Sequence, residues 1–451
     1  MRAEDNEFLT RVGPGTPMGE LMRRYWFPAI KADELAPGGS PVRLRLLGEN
    51  FIAFRSPDGT VGIVDHECAH RCASLWYGRN EAGGIRCVYH GWKFRHDGQC
   101  IDMPSEPPET DYSDRIRLRA LATRELYGVV WAFMGERDEA PPFPTFDLGD
   151  IPPDELEVSF MFRECNWLQA LEGDIDTCHV GFLHGGGSSV EDFEPGSLDY
   201  YRVANRRPKY EVVETPYGTM YSAFRPGGPG ETYHRVAQFL LPFFTMTPSE
   251  PLGHNRLRAW LPVDDGHSML VVMTAPRRTP YGTDKDGKRF PGQTVDLTYL
   301  PNTSDWYGRW RIQENPRNDH LISRELQQDR NYSGVVGIPV QDQAVTESMG
   351  PVVNRTKEHL GTSDRMIMLT RRVLMRAATA LRDHGTPPPG IVDPEVYRGV
   401  RAGFLMLPSE TDWLDDFNRR RVGWGADPAR PIARVERRSE ADPAAAATAD
   451  A

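Results

Sequence analysis

Two short runs restrict what this chain can become. Residues 68–70 read Cys68-Ala69-His70, and sixteen residues further on the chain reads Cys87-Val88-Tyr89-His90. Each run holds a thiol and an imidazole within one tight turn beside turn-forming residues, so each can present both side chains to a single centre. Four such ligands suit either a tetrahedral zinc ion or a 2Fe–2S cluster with two Cys on one iron and two His on the other. The distribution of the ligands favours the cluster. Zinc fingers usually keep cysteines in one element and histidines in another, whereas here each loop supplies one of each. Exchanging two thiolates for neutral imidazoles removes negative charge and raises the potential, which suits an acceptor of electrons from a flavin or a ferredoxin. Tyr89 and Gly91-Trp92 are expected to pack around this centre and tune it. The remaining cysteines, Cys72, Cys100, Cys165 and Cys178, are expected to be packing residues, Cys72 being a small buried residue of its loop. Six cysteines in 451 residues are too few for a disulfide scaffold and fit a reducing cytoplasm.

The surroundings of the two loops read as strands. Val42, Leu44 and Leu46 alternate with Arg43, Arg45 and Leu47, and Gly48-Glu49-Asn50 and Pro57-Asp58-Gly59 turn the chain. The runs Phe51–Phe54, Val61–Val64, Val88–Arg95 and Tyr127–Met134 continue the pattern. The fold class expected is α+β: an N-terminal all-β domain over 41–137, then a catalytic α+β domain over 154–435 whose antiparallel sheet is covered by helices. A lead-in over 1–40 starts a short helix at Thr16-Pro17, and a Pro- and Asp-rich linker spans 138–153. In the second domain the pattern predicts a helix over Phe162–Leu183 and strands at Tyr210–Val213, Met220–Phe224, Val236–Phe244, Leu257–Val263 and Met269–Ala275. Ser363 or Asp364 starts a helix that carries Ile367, Leu374 and Leu381 on one stripe and stops at Gly385. The charged, then alanine-rich tail at 436–451 is expected to be disordered.

A second constellation lies on the first of those helices. Glu172, Asp176 and His179 are spaced i, i+4, i+7 and share one helical face. His184, five residues past His179, would sit about 140° away on an ideal helix. Both can reach one metal only if the helix widens, kinks or ends near Gly181, with Gly185-Gly186-Gly187 as a stop. A non-haem iron site needs two His and a carboxylate on one octahedral face, with open positions for oxygen and substrate. Asp176 is either that carboxylate or a group that orients a histidine. The net charge of −11 argues against nucleic acid as a partner, no apolar run approaches a membrane span, and the N-terminus lacks a signal-peptide core.

The cluster loops followed by Asp176-x-x-His179-x-x-x-x-His184 resemble the Rieske non-haem iron ring-hydroxylating oxygenases. The stretches GTPMGELMRRYWFPA (15–29) and IPVQDQAVTESMGPVVNRTKEHLGTSD (338–364) are similar to the phthalate-type members. The resemblance implies that Cys68 and Cys87 bind one cluster iron and His70 and His90 the other. It implies that His179 and His184 bind mononuclear Fe(II) with a distant carboxylate, Asp342 by position, for which Glu347 and Asp329 are rivals. Asp176 then carries electrons from a neighbouring subunit's cluster histidine, in a head-to-tail trimer or a stacked hexamer, and Glu172 is placed to touch the same network. Electrons come from NAD(P)H through a separate flavin and iron–sulfur reductase, since the chain has no glycine-rich dinucleotide motif of its own. The reaction implied is hydroxylation or cis-dihydroxylation of an aromatic carboxylate with O2. Arg235 leads the residues expected to bind that carboxylate, ahead of Lys209, Arg225 and Arg207. The alternatives are O-demethylation or hydroxylation of another substrate, a pure electron-transfer protein, and a zinc-binding interaction module.

Overall fold

The computed structural model describes residues 1–277 and 282–434; the tail expected to be disordered lies outside them. Alternating sequence becomes antiparallel ladders where it was expected to. Val42–Leu46, Glu49–Arg55 and Val61–Asp65 pair in order, and a four-stranded sheet from Arg79–Glu81 to Cys100–Asp102 stands beside them. A third sheet joins Trp26–Lys31 to Val129–Phe133 and Ala122–Leu126, so the lead-in contributes a strand as well as the short helix Pro17–Met22, capped by Thr16. The predicted strand at Val88–Arg95 shrinks to Lys93–Phe94, because residues 88–91 are spent on a turn.

The second part is built on an eight-stranded antiparallel sheet. Its order is Glu157–Arg163, His267–Thr274, Arg256–Asp264, Phe244–Met246, Glu231–Leu240, Gly218–Pro226 and Lys209–Thr215, and Gly403–Pro408 also pairs with Glu231–Leu240. Five of these strands follow the hydrophobic runs of the sequence. Glu157–Arg163 takes the start of what the pattern gives as a helix, and the run Val236–Phe244 turns a corner at Leu241-Pro242. The Arg365–His384 helix packs Ile367 and Leu374 inward and ends at Gly385, whose φ of +63° supplies the left-handed cap. Asp364 does not cap it; its carboxylate accepts from the Gly361 amide instead (2.7 Å).

Two apolar cores result. A small one holds the cysteine loops, with Ile52, Phe54, Leu75, Ile85, Trp92 and Phe94. The large one runs from Leu9 to Ile432 and includes Phe146, Leu148 and Ile151 from the Pro-rich segment read as a linker. That segment is packed, and its Asp147 is buried against Arg401. No helix among the described residues is long and apolar enough to cross a membrane.

Candidate metal centres

The two cysteine loops are built alike. The Cys72 amide donates to Cys68 O (2.9 Å) and the Gly91 amide to Cys87 O (3.0 Å), so each loop is one closed turn. Both turns end in the left-handed region, at φ +57° for Cys72 and +80° for Gly91. Cys72 is exposed, which corrects the expectation that it is buried. Cys68 and Cys87 are buried side by side, and burial, together with the nearby Cys87 sulfur, pushes the Cys68 thiol up to about 12. The rings of His70 and His90 lie 4.3 Å apart, and Trp92 stacks on His70 at 4.5 Å with its own Nε1 on Ser105. His70 Nδ1 is buried with no hydrogen-bond partner. An orphaned imidazole nitrogen, in the same loop as one of two neighbouring thiols, fits a cluster ligand, because a metal would satisfy these groups together. Tyr89 lies against His90 but is otherwise exposed.

The helix that was to carry the second constellation is short. It runs over Trp167–Asp174, capped by Asn166, and the chain then leaves helical geometry. Two side chains account for the stop. Asp174 is drawn sideways to Thr245, Trp260 and Arg258, and Asp176 Oδ1 accepts from the Cys178 amide (2.7 Å), a local turn that competes with the helix. His179 starts a single 3-10 turn ending at Gly181. A kink near Gly181 is therefore not what brings the histidines together; the helix has already ended. The glycines beyond serve close approach. A Cβ on Gly187 would lie 1.9 Å from Arg330 O, and one on Gly186 2.3 Å from the Tyr332 ring.

This backbone points both imidazoles at one spot. His179 Nε2 and His184 Nε2 are 3.2 Å apart, and Asp342 Oδ1 is 3.0 Å from His184 Nε2 and 3.5 Å from His179 Nε2. Three donors at these separations can share an ion about 2.1 Å from each. Asp342 lies on the Ile338–Ser348 helix. Burial opposes its charge, but His184, His179 and Arg163 outweigh burial and hold its carboxyl well below the usual range. Its rivals lie elsewhere: Glu347 bonds His320 (2.7 Å) on the other side of the helix, and Asp329 is exposed. Gln341, the preceding residue, accepts from His184 Nδ1 (2.7 Å), and its own amide donates to Val335 O (2.8 Å). That fixes the amide, puts the His184 proton on Nδ1 and leaves Nε2 as the free donor.

Residues 25–122 match the Rieske [2Fe-2S] domain, and residues 132–426 match a family described as LigXa C-terminal domain like. The chain belongs to the Rieske non-haem iron oxygenases. It is 45% identical over 93% of its length to the 3-chlorobenzoate-3,4-dioxygenase oxygenase subunit of Comamonas testosteroni, of which it covers 98%. It is 34% identical over 95% of its length to the phthalate 4,5-dioxygenase oxygenase subunit of Pseudomonas putida, of which it covers 97%. Its fold is that of a solved structure of the NdmA QL mutant of Pseudomonas putida CBB5 with theobromine: TM-score 0.55 at 16% identity, covering 88% of this chain and 99% of that one. Rieske oxygenases of this kind use a 2Fe–2S cluster and mononuclear Fe(II), and both donor sets described above have the chemistry for those groups.

The remaining site residues divide sharply. Asp176 Oδ2 lies 3.4 Å from His179 Nδ1, and its side chain is 24% exposed. Glu172 does not reach that network and is not a surface carboxylate: it is buried and bonds Arg371 (2.6 Å) and Arg355 (2.9 Å). Arg235 is buried, and its Nε donates to Thr177 Oγ1 (2.9 Å), two residues before His179. Arg225 is buried on the same face of the neighbouring strand, bonded to Arg202 O, and burial lowers it to about 10. Lys209 and Arg207 are exposed and line nothing. Sequence reasoning missed Gln341, Thr177 and Tyr221, a buried phenol beside Thr177 and Arg235. Thr177 and Gln341 carried a weak signal, each being adjacent to a residue already singled out.

Proposed function

We propose that this Rieske oxygenase binds an aromatic carboxylate through Arg235 and hydroxylates or cis-dihydroxylates its ring. One observation carries the reading: Arg235 is a buried guanidinium held by neutral groups, its Nε donating to Thr177 Oγ1 with Tyr233 beside it, and no carboxylate among the described residues forms an ion pair with it. A buried cation without a counter-ion is costly unless a ligand supplies the anion. Thr177 ties it to the turn that bears His179, so a carboxylate held there would lie beside the iron site. The Tyr221 hydroxyl, on the same sheet face beside Thr177, is a second polar group within the site. The 3-chlorobenzoate and phthalate dioxygenase subunits to which this chain is similar support the same class.

In this reading Cys68, Cys87, His70 and His90 hold the cluster, His179, His184 and Asp342 hold the iron, and Asp176 links them. Bound there, the cluster would pass on electrons one at a time from an NAD(P)H-dependent reductase, and the mononuclear iron would supply the O2 chemistry. Gln341 keeps His184 in the right tautomer, and Asp176 does the same for His179. Apolar side chains stand exposed at both centres, Tyr77, Val88 and Tyr89 by the cluster and Phe182, Tyr332 and Val336 by the iron turn. Surfaces of that kind favour a head-to-tail ring in which one subunit's cluster faces its neighbour's iron. The cytoplasm, where such reductases work, is the compartment that fits.

Product analysis of the reconstituted system with labelled O2, over benzoates, phthalates and methoxy-aromatics, tests the reading. A carboxylated ring carrying new oxygen is expected; turnover confined to neutral substrates would reject it. Arg235→Ala should raise KM for the carboxylate with little change in kcat, as loss of uniform binding does. An unchanged KM would take Arg235 out of the pocket.

A further inference from the structure

Arg163 ends the Glu157–Arg163 strand and is wholly buried. Its Nη1 donates to Thr346 Oγ1 (3.1 Å) and its Nη2 to Pro339 O (3.4 Å), while its Nε has no acceptor. Among the described residues it forms no ion pair. The guanidinium lies over Trp260, 4.8 Å from the ring centroid. Both of its acceptors belong to the Ile338–Ser348 helix, on either side of Asp342. The Thr346 hydroxyl in turn donates to the main-chain carbonyl of Asp342 (2.8 Å), which ties it to that residue's backbone. The other anion on this helix, Glu347, is already engaged by the Glu164 amide, Gln343 and His320. Of the two carboxylates on this helix, Asp342 interacts with the Arg163 charge more strongly than Glu347 does.

We propose that Arg163 is a fixed positive charge behind the iron-binding carboxylate, which biases the bound metal towards its ferrous form. The proposal rests on His179, His184 and Asp342 being the iron ligands. Oxidation of Fe(II) to Fe(III) releases one electron and leaves one more positive charge at the site. A buried cation nearby opposes that gain, because a low-dielectric interior screens it poorly. The same cation draws on the Asp342 charge and makes the carboxylate a weaker donor. Arg163 touches neither substrate nor metal, so it is a positioning residue with an electrostatic effect.

The test is an EPR-monitored redox titration of the iron-loaded full-length protein. Arg163→Gln is expected to raise the ferric-to-ferrous ratio at a fixed potential about tenfold, a fall of about 59 mV in the midpoint of this one-electron couple. Arg163→Lys keeps the charge and should stay within about threefold of wild type, which a purely structural clamp would not do. Arg163→His, neutral at pH 8, serves as the second neutral variant should the Gln variant fail to fold. The cluster midpoint should not move in any of them. A wild-type iron midpoint in the neutral variants, or a Lys variant that falls as far as they do, overturns the proposal. Retention of mononuclear iron by His184→Ala would instead overturn the ligand reading beneath it.

Discussion

Glu172→Gln should destabilise the protein without touching its electron route. The wild-type carboxylate accepts from Arg371 Nε at 2.6 Å and Arg355 Nη2 at 2.9 Å, and its side chain is 10% exposed. Removing one partner of a buried ion pair costs about 3–5 kcal/mol, because the other charge is left uncompensated. Arg371 keeps Glu358 at 2.7 and 3.0 Å, and Arg355 keeps Asn6 at 3.1 Å, so the lower end, about 3 kcal/mol, applies. The pH dependence has a definite sign. Burial would raise the Glu172 carboxyl, but Arg355 and Arg371 outweigh burial and hold it below its ordinary value of 4.5. A depressed carboxylate stabilises above its unfolded pKa, and that contribution disappears as pH falls through the folded value. The gap between wild type and variant should therefore be full near neutral pH and narrow only below about 4.5. Urea unfolding at several pH values, followed by far-UV circular dichroism, measures it. A variant with wild-type stability and lost turnover would return Glu172 to the electron path and refute the structural assignment.

Two further substitutions probe the iron site itself. Asp176→Asn keeps an acceptor for the Cys178 amide but removes the charge next to His179 Nδ1; both metals should stay bound while turnover falls about 100-fold, and loss of iron on metal analysis would make Asp176 a ligand instead. Gln341→Ala frees His184 Nδ1 and should weaken iron binding about 10–100-fold, with the visible spectrum of the cluster unchanged; wild-type iron affinity in equilibrium dialysis would mean that Asp342 alone aligns the ring.

The parts of this site that were legible in sequence are the local ones. Each cluster loop closes within a few residues, so Cys68 with His70, and Cys87 with His90, are paired by local geometry alone. The iron turn was legible only in its members. Periodicity carried the helix on to Leu183, yet Gly173, Asp174, Asp176 and Thr177 are weak helix formers, and two of their carboxylates have better partners off the helix. Glu172 could not be placed because both of its arginines arrive from about 180 and 200 residues away in the chain. Gln341 was hidden in the same way: its importance comes entirely from meeting His184. The strands following the iron turn were read well, since alternation against one buried face is a property of the strand alone.

The two histidines proposed to bind iron are held by unequal means, and the inequality has a direction. Consecutive helical residues point about 100° apart. Gln341 uses that angle to hold the His184 ring by Nδ1 at 2.7 Å, while Asp342 stands 3.0 Å from Nε2 where both can reach one ion, so the ring is oriented before any metal binds. His179 lies on a single turn, and its Nδ1 has only the partly exposed Asp176 at 3.4 Å. The rigid side of the site is the buried side, built on a helix that Arg163 braces from behind. The adaptable side is the one that meets the surface, where Asp176 has an edge free for a group from outside the chain. The cluster presents the complementary half, with His90 only partly covered and Tyr89 exposed beside it. In the proposed head-to-tail ring a second copy would complete the electron route, so dissociating that ring should abolish turnover while leaving both metals in place.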